Sequence, residues 1–358
     1  MLLAVLAVYA LGTAGAAAAQ NIGELIAARV VQGASLSILP LAFAILREAL
    51  PPERPHVGTG MVSGVVGAGA GGGLVIGGLL ADHFSWRYRF VLGVVLAVVS
   101  LVLVLRWVPS GVGTTGGRLD RWGGGLPGLA LVALLLALTK GPAWGWTGPR
   151  TLRLFAVAAV LAALLVVVER GRDDALVDIA ELTDPPMLMT HLSSFAFGAL
   201  SYVFYVAMPR FAQTPHDAGG YGFGATVTVA ALLTLPGAIA VMPASMAVGV
   251  ASARWGSRSP LVVGFVVAVA GSAALAVAHA AMWQHLASYA LVGAGSGLVI
   301  AALPKLVGEL VPLSRTATAN GINNIAGVGV AGASIARSRP WPRGAPAARP
   351  RSGRRRRR

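Results

Sequence analysis

The sequence predicts an all-α integral membrane protein, a polytopic bundle of about 10–11 transmembrane helices. Three observations predict it. Apolar residues make up 56% of the 358 residues and charged ones only 11%, with a mean hydropathy of +0.74. A water-soluble domain runs at about 45–50% apolar and about 25% charged. The apolar residues also fall into runs of spanning length, about 20 residues for roughly 30 Å of hydrocarbon. Within those runs Val, Leu, Ala and Gly are continuous, whereas a membrane β-barrel would show segments of roughly ten residues alternating apolar and polar. Zero cysteines exclude a disulfide framework, thiolate metal sites and cysteine nucleophiles.

In chain order the runs are 2–20, 25–46, 58–80, 89–108, 125–142, 151–168, 188–208, 223–250, 260–281 and 286–308. An eleventh begins near Gly321 and stops where an arginine tail takes over. The first run ends in Ala16–Ala19 like a signal peptide, but no Lys or Arg precedes Arg29 to form a basic n-region. Residues 1–108 are expected to form the remainder of an N-terminal bundle, 109–168 two extra central helices with their connectors, and 187–336 a partial C-terminal bundle. The linker 169–186 holds six of the 13 acids (Glu169, Asp173, Asp174, Asp178, Glu181 and Asp184) and reads as a solvated boundary between the halves.

The net charge of +15 is concentrated at one end. Residues 337–358 carry ten of the 28 basic residues and no acid, in Arg, Pro, Ala, Gly and Ser text with a single Trp341. This is low-complexity sequence with nothing to bury, expected to be disordered, and it gives no ground for a nucleic-acid partner. Lys/Arg counts orient the chain. One set of loops holds Arg47, Arg54, Arg118, Arg121, Arg170, Arg172, Arg254, Arg258 and Arg315; the opposite set holds Arg87, Arg89, Arg150, Arg153 and Arg210. That bias places the N-terminus, the acidic linker and the tail in the cytoplasm.

Several residues do not belong in lipid. Arg29 opens the run Arg29-Val-Val-Gln32-Gly33; it either snorkels to the interface or faces a wet cavity, and Gln32 with Gly33 favours a helix–helix seam there. The third span repeats small residues at intervals of four: Gly60, Gly64, Ala68 and Gly72, then Gly69, Gly73 and Gly77, with Gly78 adjacent. Such a face lets a neighbouring backbone approach closely. It also costs intrinsic helix stability of roughly 1 kcal/mol per Gly relative to Ala, so close packing or flexing must be the use. Asp82 and Ser85-Trp86-Arg87-Tyr88 end that span; Trp144 and Trp146 read as an interfacial belt beside a snorkelling Lys140. His191 and His279 each stand alone, without the second ligand a metal would need, and read as packed or capped. Lys305 and Glu309 make an i,i+4 pair. Pro236 and Pro243 interrupt the eighth span, as in transporter helices near gates. No phosphate cradle, zinc pair or nucleophile elbow occurs, so neither an enzyme nor an ATP-driven pump is expected.

From Arg29-Val-Val-Gln32-Gly33 through the glycine-rich span to Trp86-Arg87, the chain resembles the major facilitator superfamily, most closely its fourteen-helix drug:proton antiporter branch. Arg29, Gln32 and Gly33 match that family's R-x-x-Q-G. Gly69, Gly73, Gly77 and Gly78 match its antiporter motif G-x-x-x-G-P-x-x-G-G, with Leu74 where proline is expected. Gly141 to Trp146 is similar to the connector between the two extra central helices. Gly249, Arg254, Gly256 and Arg258 fit the second-half copy of the gate loop G-x-x-x-D-R-x-G-R-R, where Ala253 replaces the acid and Ser257 an arginine. Asn320-Gly321-Ile322-Asn323-Asn324 resembles the approach to the thirteenth helix.

The resemblance covers roughly residues 1–326 and implies a partial major facilitator fold opening at the third family helix. By this reading the chain is truncated at both ends, and the tail reads as a shifted frame. The implied activity is secondary transport of a small amphipathic molecule across the cytoplasmic membrane in exchange for protons, with no cofactor beyond the gradient, by a monomer whose partners are substrate and bilayer. Arg29, Gln32 and Gly33 would serve proton coupling or line the cavity; Gly69, Gly73, Gly77 and Gly78 would pack and gate; Gly249, Arg254, Gly256 and Arg258 would be the cytoplasmic gate loop. No membrane-buried carboxylate is visible, since Asp82 and Glu309 lie at span ends. The alternative is a transport-inactive remnant or scaffold of the same family.

Overall fold

A computed structural model describes residues 1–49, 55–108, 121–170, 182–202, 204, 206, 208–215, 222–278, 281–312 and 315–335. Most of the acidic linker, the connector after Val108, His279 and the arginine tail, and with them the domain boundaries expected there, lie outside the described residues. The described residues form helices and no strand.

In chain order the helices are α1 (Leu2–Ala18), α2 (Ile22–Gln32), α3 (Ile38–Ala49), α4 (Pro55–His83), α5 (Arg87–Trp107), α6 (Arg121–Trp144), α7 (Pro149–Glu169), α8 (Pro185–Tyr202), α9 (Met208–Gln213), α10 (Val227–Trp255), α11 (Ser259–Val277), α12 (Met282–Leu310) and α13 (Thr316–Ile335). Eight spans among the described residues are long and apolar enough to cross a membrane, with α2 and α3 counted as one span over Ile22–Leu46. The remaining expected runs are also helical but differ in kind. At 17 residues, α1 is short. Thr190, His191, Ser193 and Ser194 make α8 more polar, as Thr and Asn residues do for α13.

Outward faces confirm which solvent the bundle is built for. On α5 only Ala97 is buried, while Val91, Val95, Val99 and Leu103 are exposed. Val262, Val266 and Val269 do the same on α11. Apolar surface this extensive is stable against lipid tails, and helices satisfy their own backbone groups there.

Packing in the interior follows the glycines. The most buried of the spans is α12, which presents small residues to two neighbours. Gly293 and Gly297 lie against Gly237 and Val241 of α10, where an added Cβ would strike backbone. Gly295 lies against Gly264 and Ala268 of α11. The Ser245 hydroxyl of α10 donates to the Gly297 carbonyl at 3.0 Å across this contact. In the first half, α1 packs between α2 and α5: a Cβ on Gly12 would sit 2.8 Å from the Gln32 nitrogen, and one on Gly93 2.9 Å from Thr13 Cγ2. The halves are joined through α4, which packs along α10.

Local signals set the ends. Asn21 caps α2 by accepting from the Glu24 N–H at 2.9 Å, and Glu24 returns the bond by accepting from the Gln20 N–H at 2.7 Å. Gly256, at φ +82° and ψ 158°, ends α10 in a positive-φ conformation that only glycine adopts readily.

Candidate functional site

Arg29, Gln32 and Gly33 occupy three different settings. The Arg29 guanidinium lies on an exposed face of α2, 4.9 Å from the centre of the Phe90 ring on α5. No carboxylate pairs with it among the described residues. Gln32 is buried and donates through Nε2 to Thr13 Oγ1 at 2.8 Å; Thr13 in turn donates to the Tyr9 carbonyl at 2.7 Å. Gly33 starts a 3-10 segment, Gly33–Ser37, that interrupts the span between α2 and α3. Within a membrane helix such a break frees backbone carbonyls, which must find other donors.

Small residues occupy two faces of α4, and only one face is packed. Gly64, Gly67, Gly71 and Gly78 meet α10: a Cβ on Gly64 would lie 3.0 Å from Met242 Cγ, one on Gly67 or Gly71 would overlap Val241 or Ala238, and one on Gly78 would lie 3.1 Å from Thr228 Cα. Gly69, Gly73 and Gly77 face open space. Of the four motif glycines, therefore, Gly78 alone sits in the seam with α10. One turn beyond Gly78, Asp82 accepts from the Thr228 N–H at 2.9 Å and from the Thr228 hydroxyl at 2.5 Å. The carboxylate thus caps the N-terminus of α10 from the other half of the chain, where the helix dipole favours a negative charge.

At the opposite end of α10, Gly249 lies within the helix and Arg254 in its exposed last turn, while Gly256 terminates it and Arg258 is the residue before α11. Ser259 closes the turn, its N–H reaching the Gly256 carbonyl at 3.2 Å and its hydroxyl the same oxygen at 2.9 Å. Ser257, where the family loop carries arginine, holds this turn to α12: its hydroxyl donates to Glu309 Oε1 at 2.7 Å and accepts from Lys305 Nζ at 3.0 Å. Lys305 and Glu309 pair at 3.3 Å. A neutral hydroxyl therefore bonds to both members of this ion pair, linking the loop to the end of α12.

A cavity of about 110 Å³ brings the two halves together elsewhere. Leu39, Pro40 and Phe43 of α3 form its first-half wall; Ser194 and Phe197 of α8, Ile300 and Pro304 of α12, and Asn320, Asn323 and Asn324 of α13 line the rest. Pro304 cannot donate to the Ile300 carbonyl, so that acceptor lacks its helical partner. Asn323 is buried and accepts through Oδ1 from Ser194 at 2.5 Å, with His191 Nδ1 at 3.2 Å from the same oxygen. Close approach of α8 and α13 makes this possible: Gly198, one turn past Ser194, leaves no room for a Cβ against Gly327, one turn past Asn323. Asn324 donates to the Leu36 carbonyl at 3.2 Å, so the 3-10 break in the first half is satisfied by a side chain of the second. A larger adjoining cavity of about 550 Å³ shares Pro40 and Asn324 and is lined by Gly33, Ala34 and Ser37 of the break.

The cavity's walls are apolar with a few convergent amides and hydroxyls and no charged side chain, the usual make-up of a small-molecule pocket. Sequence reasoning missed it. A signal was present in the polar residues at helical spacing, Thr190 with Ser194 and Thr316 with Asn320 and Asn323, each set one face of an otherwise apolar helix. Equally missed was His285, whose buried ring stacks on Phe211 and Tyr289 at 5.9 and 6.0 Å with neither nitrogen hydrogen-bonded.

Comparison with known proteins agrees with this architecture. The tetracenomycin C resistance and export protein of Streptomyces glaucescens is 27% identical over 328 residues, 89% of this chain and 59% of that protein. Multidrug resistance protein Stp of Mycobacterium tuberculosis is 27% identical over 317 residues, 88% of this chain and 58% of its own length. The methylenomycin A resistance protein of Streptomyces coelicolor is 26% identical over 359 residues, 94% of this chain and 72% of that protein. The chain thus spans little more than half the length of the first two. The profile of the Major Facilitator Superfamily matches residues 1–336, reaching from α1 to the end of α13 and so taking in both halves of the bundle. By that match, this multi-pass helical membrane protein belongs to the major facilitator superfamily.

Proposed function

We propose that the chain carries a small, amphipathic, drug-like molecule across the cytoplasmic membrane by proton antiport, with the cavity between α3, α8, α12 and α13 as the substrate site. The cavity carries this reading: it lies between the two halves, beside a broken helix, with apolar walls and three asparagine amides. Sites formed where repeats meet and helices are interrupted suit alternating access, in which one bundle rocks against the other around a fixed site. The relatives' names point the same way, to export of tetracenomycin C and to multidrug and methylenomycin A resistance. In this scheme the N-terminus and the tail are cytoplasmic, as the loop arginines imply. Arg29 enters as a coupling residue on the family motif alone, since its described neighbour is Phe90.

The test is flux. In proteoliposomes with an acid lumen, the protein is expected to accumulate ethidium and run the pH gradient down, and Arg29→Ala to abolish the coupled flux. Ethidium movement equal to that of protein-free vesicles contradicts the transport reading; unchanged coupled flux in Arg29→Ala removes Arg29 alone. A second reading, a family member that does not transport by itself, is favoured by Ala253 and Leu74, which stand where the family motifs carry an acid and a proline. Saturable ethidium binding without flux is the result that would support it.

A further inference from the structure

Two of the amides in the smaller cavity have been left with one kind of polar group to offer. Asn320 is buried, 4% exposed, and donates through Nδ2 to the Thr316 carbonyl at 3.0 Å. Asn324 donates through Nδ2 to the Leu36 carbonyl at 3.2 Å. A carbonyl can only accept, so each amide has its NH2 end committed to backbone and its orientation fixed. What each has left is Oδ1, an acceptor that receives no hydrogen bond from a described residue. The Ile300 carbonyl is a third acceptor, since Pro304 has no N–H to meet it, and both residues line the cavity.

Size and charge narrow what can meet these oxygens. The cavity measures about 110 Å³ and the one adjoining it about 550 Å³. An apolar cavity of about 150 Å³ holds benzene, so the smaller one is on the scale of a single six-membered ring. Phe43 from the first half and Phe197 from the second supply aromatic surface in its walls. Among the described residues no carboxylate lines either cavity. Glu309, the acid of α12, is bound to Lys305 and Ser257.

We propose that the smaller cavity is a subsite for one aromatic ring carrying N–H or O–H donors, an aminoarene or a phenol, with the rest of the molecule in the adjoining cavity. This rests on the transport reading above and names what the site selects: donor hydrogens, not positive charge. Asn324 and Pro40, shared by the two cavities, stand at the junction. A ring N–H given to Asn320 Oδ1 replaces the water bond that the N–H loses on leaving solvent. A ring without donors enters at a loss, because the buried Asn320 oxygen then stays unmet. A fixed positive charge finds no carboxylate to pair with and adds little.

Three related dyes separate donors from charge. Ethidium has two ring amines and a quaternary nitrogen; its deaminated phenanthridinium keeps the charge and lacks the amines; its unalkylated diamino parent keeps the amines and is uncharged in mildly alkaline buffer. Binding to the detergent-solubilised chain is read as a Kd for each. The uncharged diamine is expected to bind within about threefold of ethidium, and the deaminated cation about tenfold or more weaker. Asn320→Leu is expected to narrow that last gap about threefold or more. Three results overturn the inference: a deaminated cation bound as tightly as ethidium, an uncharged diamine bound about tenfold or more weaker than ethidium, or the wild-type gap in Asn320→Leu protein that still binds the dye. The wild-type comparison needs no substitution and decides alone if the variant fails to fold. Any of these results with ethidium still carried in proteoliposomes leaves the transport reading standing, whereas saturable binding of none of the three dyes overturns both.

Discussion

The two glycine-bearing faces of α4 look alike in the sequence and differ completely in the fold. Gly64, Gly67, Gly71 and Gly78 bring the α10 backbone into contact, whereas Gly69, Gly73 and Gly77 meet nothing within 4 Å. Small residues at intervals of four permit close approach without commanding it. What decides is the partner's own surface, here Ala238, Val241 and Thr228 on α10, and the Asp82 cap that fixes the register at one end.

Substitutions on the two faces should therefore separate sharply. Gly71→Leu has the largest expected effect, because its side chain would overlap Ala238 next to backbone with no space to take it. The α4–α10 seam should open at a cost of about 3 kcal/mol or more, read as a lower melting temperature and loss of the monodisperse peak in detergent. Asp82→Ala should act at one end only. Without the carboxylate the Thr228 N–H loses its acceptor, so hydrogen exchange in the first turn of α10 should speed up while the middle of the helix keeps its protection. Gly73→Ala should have the smallest effect and the opposite sign. Alanine costs less in a helix than glycine, so a melting curve should show no loss, or a gain of up to about 1 kcal/mol. A penalty at Gly73 as large as that at Gly71 would mean that the two faces are not distinguished in this way.

The sequence was most legible where physics depends on the chain alone. Apolar run length predicts the spans, since a bilayer imposes its thickness regardless of what packs where, and α5, α7, α11 and α12 lie close to the runs read for them. Rotation of a helix is another matter. In α4 glycines recur at 58, 60, 64, 67, 69, 71, 72, 73, 77 and 78, so intervals of four can be drawn on several faces, and only the position of α10 selects one. Asn323 illustrates the same limit: as sequence it belongs to a polar patch at the start of a span, and only the approach of α8, allowed by Gly198, puts it against Ser194 and His191. The break at Gly33 was visible as a motif but not as a change of helix type, because its freed carbonyl is satisfied by Asn324, 288 positions later in the chain.

The lack of cysteine makes the cavity directly addressable. Asn320→Cys places one thiol in its wall and Gly73→Cys places one on the open face of α4. Modification by a small methanethiosulfonate reagent is expected to slow several-fold at Asn320→Cys when saturating ethidium is present, and to be unaffected at Gly73→Cys. Equal rates with and without ethidium at Asn320→Cys, in protein that still binds the dye, would contradict the assignment of this cavity as the substrate site.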